Sequence, residues 1–100
     1  MNFEDSQIHI FEWDDDKNRI NQRKHGISFE FASDVFNDPN RIEMFDEMHS
    51  TWEEDRTIVI GRAHDFVILF VVCTYRDGRT RLISARKAET EEEEAYYGNC

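Results

Sequence analysis

Five positively charged side chains lie close together in the chain, within residues 76–87. They are Arg76, Arg79, Arg81, Arg86 and Lys87. An arginine stays charged at physiological pH, and its planar guanidinium can donate two parallel hydrogen bonds to a phosphate or a carboxylate. A second cationic group has no acid within it and consists of Lys17, Arg19, Arg23 and Lys24. Folding could join the two groups into an anion-binding surface, although composition alone favours ion pairs with the protein's own carboxylates.

The protein as a whole is acidic, with 22 acidic and 12 basic residues and a formal net charge of -10. Its charge is unevenly distributed, because residues 56–88 contain seven bases and two acids whereas residues 1–50 contain twelve acids and five bases. The net negative charge repels nucleic acid at long range, whereas the local excess of bases does not. A basic patch is therefore expected on an acidic protein.

The histidines and cysteines show no metal-binding pattern. His9, His25, His49 and His64 are scattered, and the two cysteines do not form a Cys-x-x-Cys pair, so neither a metal site nor a cofactor is expected. Cys73 lies in an apolar run and Cys100 is the last residue. A structural disulfide is therefore not expected, and Cys73 is expected in the core of a protein from a reducing compartment.

Length and hydropathy predict one soluble cytoplasmic domain over residues 1–100. The longest apolar run, residues 66–73, is too short to cross a membrane. Residues 1–10 have neither the basic nor the apolar region of a signal peptide.

Two helices are predicted in the first half of the chain. Asp14, Asp15 and Asp16 can cap and charge the start of a helix that runs to about His25, where Gly26 ends it. Ser28 is the expected N-cap of a second, short helix that ends before Pro39. The alternating residues 8–14 predict a short strand ahead of both helices.

Four strands and a helix are predicted in the second half. Branched and aromatic residues are typical of strands in four segments, residues 41–47, 56–62, 66–76 and 79–87. The continuous apolar run of the third segment predicts the central strand of the sheet. Residues 88–97 predict a C-terminal helix whose glutamates suit the positive end of its dipole, with Thr90 as a possible cap.

The Asp77-Gly78 pair predicts a type I′ turn that fixes the register of a hairpin. The expected cross-strand pairs are Arg76 with Arg79, Thr74 with Arg81, Val72 with Ile83 and Phe70 with Ala85. In this register Ser84 and Arg86 lie with Tyr75, Cys73 and Leu82 on the face opposite Arg81, unless a β-bulge intervenes.

Three blocks of sequence resemble the BrnT family of toxins from type II toxin-antitoxin systems. They occur in the family's order and are FEWDDDKNRINQRKHGISFEFASDVFNDP at residues 11–39, HSTWEEDRTIVIGR at 49–62 and RTRLISARKAETEEEEAYY at 79–97. The resemblance covers residues 11–97, and residues 1–10 form an N-terminal extension. It implies an α+β fold similar to RelE-type ribonucleases, with N-terminal helices packed on a mostly antiparallel sheet of four to five strands and a C-terminal helix.

The resemblance also implies a function and partners. The expected protein is a toxin that cleaves RNA and stops translation and growth. An antitoxin called BrnA, with a ribbon-helix-helix DNA-binding part, is expected to neutralise it. The complex is expected to repress its own operon, so that operator DNA is contacted only through the antitoxin.

Metal-independent RNA cleavage needs cations on the phosphate and groups that move protons to and from the sugar oxygens. Arg81, Arg86 and Lys87 match the family's third block and Arg56 the second, and all four are expected to act in catalysis. Further RNA contacts are expected from Lys24, Arg62, Arg76 and Arg79.

His25 is the first candidate for proton transfer because an imidazole titrates near neutral pH, and Glu30 and His49 follow. A helix-capping role for His25 is the alternative. If Arg81 and Arg86 lie on opposite faces, one of them is a structural residue that holds a carboxylate such as Glu30.

The aromatic residues near the proposed site have plainer alternatives. Tyr96 and Tyr97 could stack on a base or donate a proton, but the end of an amphipathic helix favours core contacts. Trp52 could stack on RNA, but covering the edge of the sheet is favoured.

A second function from another class fits the same composition. A catalytically inactive binding module could use the basic face to dock an acidic partner, and the net charge favours this function. Expression of the chain alone distinguishes the two, because only the ribonuclease should arrest growth and cut RNA in the presence of a chelator.

Overall fold

The computed structural model describes residues 9–99, so Cys100 and most of the N-terminal extension lie outside the described residues. The first helix, α1 (Asp15–His25), begins and ends where the sequence predicts. The Asp14 carboxylate accepts a hydrogen bond from the Lys17 amide at 3.1 Å. Gly26 ends the helix in the left-handed conformation, with φ of 72°, which a side chain would disfavour.

The two other helices are also close to their predicted positions. Ser28 caps α2 (Phe29–Ala32), which continues as a 3-10 helix over Ser33–Asn37. The C-terminal helix, α3 (Thr90–Asn99), begins at Thr90 itself. Its cap comes from Glu92, whose carboxylate accepts the Glu89 amide at 2.8 Å, as in the acidic half of a capping box.

Five strands form one sheet. They are β1 (Phe11–Glu12), β2 (Ile42–Phe45), β3 (Thr57–Arg62), β4 (Ile68–Arg76) and β5 (Arg79–Lys87). Their order is β1-β5-β4-β3-β2, which confirms β4 as the central strand. All neighbouring pairs are antiparallel except the short β1, which is parallel to β5. The predicted α+β fold with a mostly antiparallel sheet is confirmed, although the first strand is shorter than residues 8–14.

The two faces of the sheet have different covers. On the helical face, residues of α1–α2 and the following 3-10 helix enclose the main core, which includes Phe29, Val35, Leu69, Val71 and Leu82. On the opposite face α3 covers only one end, where Tyr96 packs with Ile60 and Ile68. No helix of residues 9–99 covers the rest of that face, towards the β4–β5 turn, which is called the open face below, although Thr74 on it is only 3% exposed.

The β4–β5 turn is of the predicted type. Asp77 and Gly78 both have positive φ, 55° and 74°, as a type I′ turn requires. The predicted pairs of Arg76 with Arg79 and Thr74 with Arg81 are confirmed.

Farther from the turn the predicted register is wrong, because a β-bulge intervenes between Val72 and Cys73. Val72 pairs with Ser84 and Phe70 with Arg86, so that Ile83 is an extra residue on β5. The extra residue reverses the alternation of side chains in the rest of the strand. Arg86 therefore lies on the same face of the sheet as Arg81, at the end that α3 covers.

Two further predictions have opposite outcomes. Cys73 is fully buried, as predicted, and burial raises the pKa of its thiol to about 12, so the thiol is unreactive at neutral pH. Trp52 is fully exposed, and the prediction that it covers the sheet edge is wrong. No helix within residues 9–99 has the length and apolar character needed to cross a membrane.

A buried carboxylate joins α3 to the rest of the fold. Asp38 is 5% exposed, and its Oδ2 accepts hydrogen bonds from the Tyr96 hydroxyl at 2.5 Å and the Arg62 amide at 2.8 Å. Its Oδ1 accepts the Asn40 amide at 2.9 Å. Burial acts to raise the pKa of Asp38, but these hydrogen bonds and the Arg62 charge outweigh it and hold the pKa below the usual range.

Candidate active site

Charged and hydroxyl side chains form a transverse row across the open face, defined here by Glu12, Arg81, Thr74, Arg56 and Asp46. Glu12 pairs with Arg81, and Arg81 with Thr74, in the registers of β1–β5 and β4–β5. Thr57 pairs with Cys73 and Phe45 with Thr57. Continuing these two registers by one residue aligns Arg56 with Thr74 and Asp46 with Arg56. The row brings together two arginines that the sequence predicted as phosphate ligands.

Hydrogen bonds support this continuation of the row beyond the strand ends. The Thr74 hydroxyl donates to the Asp55 carbonyl at 2.8 Å, and the Asp46 amide donates to the Arg56 carbonyl at 2.8 Å. The Ser50 hydroxyl completes the ladder, since it accepts the Arg56 amide at 2.9 Å and donates to the Asp46 carbonyl at 2.6 Å. The position of Arg56 is thus fixed by its backbone, not only by its side chain.

Most cations on this face have a carboxylate beside them. The Arg56 Nε donates to Glu54 at 3.0 Å, while the Arg79 and Arg81 guanidinium groups lie 3.8 Å and 4.0 Å from Glu12. These pairs are partly exposed, and such pairs contribute on the order of 0.2–1 kcal/mol. A bound phosphate can therefore replace them at little cost. Arg76 has no ion-pair partner within residues 9–99.

Arg86 is held more firmly than the other arginines. Its guanidinium donates to both Glu92 oxygens, at 2.8 Å and 2.9 Å, and its centre lies 4.1 Å from the centroid of the Phe70 ring. The hydrogen bond with Glu92 raises the pKa of Arg86 and lowers that of Glu92. Glu92, not Glu30, is the carboxylate that this structural pair uses. One glutamate of the C-terminal block thus caps α3 and joins it to the sheet.

The structure does not bring His25 and Glu30 to the row. Both belong to the helices that pack on the helical face. Glu30 accepts a hydrogen bond from the Asn18 amide group at 2.8 Å. No hydrogen bond or ion pair of the described residues joins either side chain to Arg81 or Arg86.

The remaining predicted residues lie around the margins. Lys87 pairs with Leu69, a residue of the main core, and therefore belongs to the helical face. Lys24 is exposed at the end of α1. Arg62 is at the far end of β3, 5.4 Å from the Phe66 ring centroid. Only Arg76 and Arg79, at the β4–β5 turn, adjoin the row.

Sequence reasoning missed the acidic members of the site. Glu12, Glu54 and Asp46 were not distinguished from the other 19 acidic residues among the 22 of the chain. The one local signal was the spacing of Asp46 and His49, which lie three residues apart and whose side chains are 2.9 Å apart. Within residues 9–99 no group of three or more histidine, cysteine or acidic residues could hold a metal ion.

The geometry is suited to a phosphodiester. Arg56 and Arg81 are two strands apart, about 10 Å between backbones, so that their long side chains can converge on one phosphate. Carboxylates and an imidazole lie at the two ends of the row. These groups can move protons beside a phosphate that arginines hold.

Comparisons with known proteins identify a family and a similar fold. A family model described as "Ribonuclease toxin, BrnT, of type II toxin-antitoxin system" matches residues 13–92. The crystal structure of the Brucella abortus ribonuclease toxin BrnT is similar, with a TM-score of 0.55 and 21% sequence identity over 83% of this chain and 100% of that chain. At this identity the structural similarity concerns the fold alone. A search of curated proteins found no match.

Proposed function

The chain belongs to the BrnT family of ribonuclease toxins of type II toxin-antitoxin systems, and from this membership we propose that it cleaves RNA on the transverse row without a metal ion. The family implies an RNA substrate and an antitoxin partner. The observation that carries the proposal is the alignment of Arg56 and Arg81, both partly exposed, on either side of the buried Thr74. Arginines so placed can hold a phosphate and neutralise its developing charge.

In the proposed reaction the 2′-hydroxyl of RNA attacks the adjacent phosphorus and the 5′-oxygen leaves. Arg56 and Arg81 bind the non-bridging oxygens, on which negative charge increases in the five-coordinate transition state. The guanidinium groups need not gain or lose a proton, which suits them to a purely electrostatic role. Cleavage by the 2′-hydroxyl explains why RNA, and not DNA, would be the substrate.

The other predicted residues receive separate roles in this proposal. Arg76 and Arg79 bind the RNA backbone beside the row, and Arg86 positions α3 through Glu92. Lys24, Lys87 and Arg62 extend RNA binding around the margins. Because His25 and Glu30 lie on the helical face, they can transfer protons only if the RNA passes around the edge of the sheet that β5 forms. Beyond Arg81 this edge has no neighbouring strand among the described residues. His25→Ala and Glu30→Gln test that requirement.

We expect expression of the chain alone to arrest growth and its RNA cleavage to continue in EDTA. The products should carry a 2′,3′-cyclic phosphate or a 3′-phosphate, because the 2′-hydroxyl is the nucleophile. The measurement is end-group analysis of RNA cut by the purified protein, with and without EDTA. Products with 3′-hydroxyl ends, or loss of activity in EDTA, would contradict the mechanism.

A binding module without catalysis is the second candidate. The net charge of -10 and the carboxylate partners of Arg56, Arg79 and Arg81 favour it. The same assay decides between the two, because a binding module would leave RNA intact and would not arrest growth.

We also propose that a BrnA-like antitoxin with a ribbon-helix-helix part covers the transverse row and the Arg76–Arg79 turn. Its acidic side chains would pair with the arginines and set the association rate, while apolar contacts supply affinity. DNA contact and repression of the operon would come from the antitoxin, since the acidic remainder of the toxin repels DNA. The complex would act in the cytoplasm.

Hydrogen exchange of the toxin with and without antitoxin tests this arrangement. We expect amide protection to increase at the β4–β5 turn and along β5. Protection on α1, which carries Lys17 and Lys24, would place the antitoxin on the helical face instead. Exposed regions such as the outward side of α3, with Glu91, Glu93 and Glu94, should be unchanged. Protection confined to α3 would contradict the proposed interface.

A further inference from the structure

An aspartate–histidine pair occupies one end of the transverse row. The Nδ1 atom of His49 lies 2.9 Å from Asp46 Oδ2 and 3.2 Å from Asp46 Oδ1. The Asp46 side chain is only 6% exposed, whereas that of His49 is 63% exposed. A buried carboxylate thus holds one nitrogen of an imidazole whose ring is open to solvent.

The backbone fixes the pair beside Arg56. Asp46 is bonded to Arg56 through its amide, and Ser50 joins the same two residues through its hydroxyl. Asp46 Oδ1 also accepts the His49 amide at 3.3 Å. These bonds close the loop without the imidazole, so the folding of the loop does not explain the orientation of the ring.

The orientation leaves one ring nitrogen available for chemistry. With Nδ1 bonded to the carboxylate, Nε2 makes no hydrogen bond to any residue in the range 9–99. When Nδ1–H donates a hydrogen bond to the carboxylate, the neutral ring has its lone pair on Nε2. This is the tautomer that a general base needs.

A second histidine provides an internal comparison. His64 lies 3.4 Å from the Asp34 carboxylate and is 74% exposed, but it belongs to the β3–β4 connection at the opposite end of β3 from Arg56. It also contacts Phe31, with ring centroids 6.4 Å apart. An exposed Asp–His pair is therefore not unusual in this protein, and the distinguishing property of His49 is its place in the row.

We propose that His49 is the general base of the ribonuclease reaction and that Asp46 is its positioning residue. This inference rests on the function proposed above. Nε2 takes the proton from the 2′-hydroxyl as the O2′–P bond forms and the P–O5′ bond breaks. The leaving 5′-oxygen takes a proton from water, and the imidazolium then returns its proton to the hydroxide so formed.

The test compares His49→Ala with the matched control His64→Ala on a messenger RNA in EDTA, free and bound to ribosomes. We expect the cleavage rate of His49→Ala to fall about 100-fold, as for other general bases, and free imidazole to restore part of it. His64→Ala should cleave at the parent rate. Asp46→Asn should also be slower but should not respond to imidazole, and urea unfolding of each variant checks its fold.

The outcomes separate this inference from the proposed function. If Arg81→Ala is inactive while His49→Ala cleaves at the parent rate, the ribonuclease proposal stands and the role of His49 is wrong. A slow His49→Ala that imidazole does not restore also contradicts a role as base. If the parent protein leaves both RNA forms intact, the proposed function fails and this inference fails with it.

Discussion

Replacing Arg81 by alanine is expected to lower the rate of RNA cleavage about 1000-fold and to abolish growth arrest. Arg81 lies between Thr74 and Glu12 in the transverse row, where it would meet the charge of the transition state. Losing one preorganised charge of this kind costs on the order of 100- to 1000-fold. The upper value is expected here because the substitution also leaves the Glu12 carboxylate beside the phosphate with Arg79 as its one remaining cationic partner among residues 9–99.

Two other arginines serve as controls for this prediction. Arg79→Ala should have a smaller effect, because the exposed Arg79 is beside the turn and one row away. Arg19→Ala should have none, since Arg19 pairs with Asp16 on the outer side of α1. The measurement is the first-order cleavage rate of each purified variant, with urea unfolding to establish that it is folded. Cleavage by Arg81→Ala at the parent rate would show that the row is not the active site.

Replacing Asp38 by alanine is expected to lower the free energy of unfolding by about 3 kcal/mol. The substitution removes the acceptor of three hydrogen bonds, from Tyr96, Arg62 and Asn40. Each donor that stays buried without its acceptor costs about 1–3 kcal/mol, and water can reach only part of the vacated site. Urea denaturation measures the change, and a loss below about 1 kcal/mol would contradict the structural role given to Asp38.

The tyrosine pair at the end of α3 offers a matched test of the same contact. Tyr96→Phe should cost about 1–2 kcal/mol because it removes the donor to a buried carboxylate, whereas Tyr97→Phe, at an exposed side chain, should cost almost nothing.

The lowered pKa of Asp38 makes the stability of the protein depend on pH. Its stabilisation is complete above the pKa of the unfolded chain, about 4, and is lost as pH falls through the folded value. In the Asp38→Asn variant the free energy of unfolding, measured by urea denaturation, should fall less steeply as the pH drops below about 4.

Local signals in the sequence predicted the local parts of this fold correctly. Asp14, Gly26 and Ser28 act within a few residues of themselves, as caps whose hydrogen bonds close inside one helical turn. The Asp77-Gly78 turn is local in the same sense. The bulge at Ile83 was not predictable, because it depends on how β5 fits against β4 and against the helices at the same time. A one-residue slip reverses every later side chain, and so the face of Arg86 was predicted wrongly.

The candidate site was partly predictable for a related reason. Arg56 and Arg81 are distinctive in a chain poor in bases, and the family resemblance distinguished them. Their acidic neighbours are common residues, and only the register of five strands identifies Glu12 and Asp46 as members of the row. The roles predicted for His25 and Glu30 stay predictions, and the helical face on which they lie was not inferred from the sequence.

The bulge at Ile83 also determines which deletions β5 can tolerate. Removing Ile83 would leave an unbroken ladder, because Leu82 would still face Cys73 and Ser84 would still face Val72. Arg86 would stay opposite Phe70 and keep its link to Glu92. Removing a second residue would turn Arg86 to the helical face, since a one-residue shift reverses every later side chain. The segment 82–87 should therefore tolerate the loss of one residue but not of two.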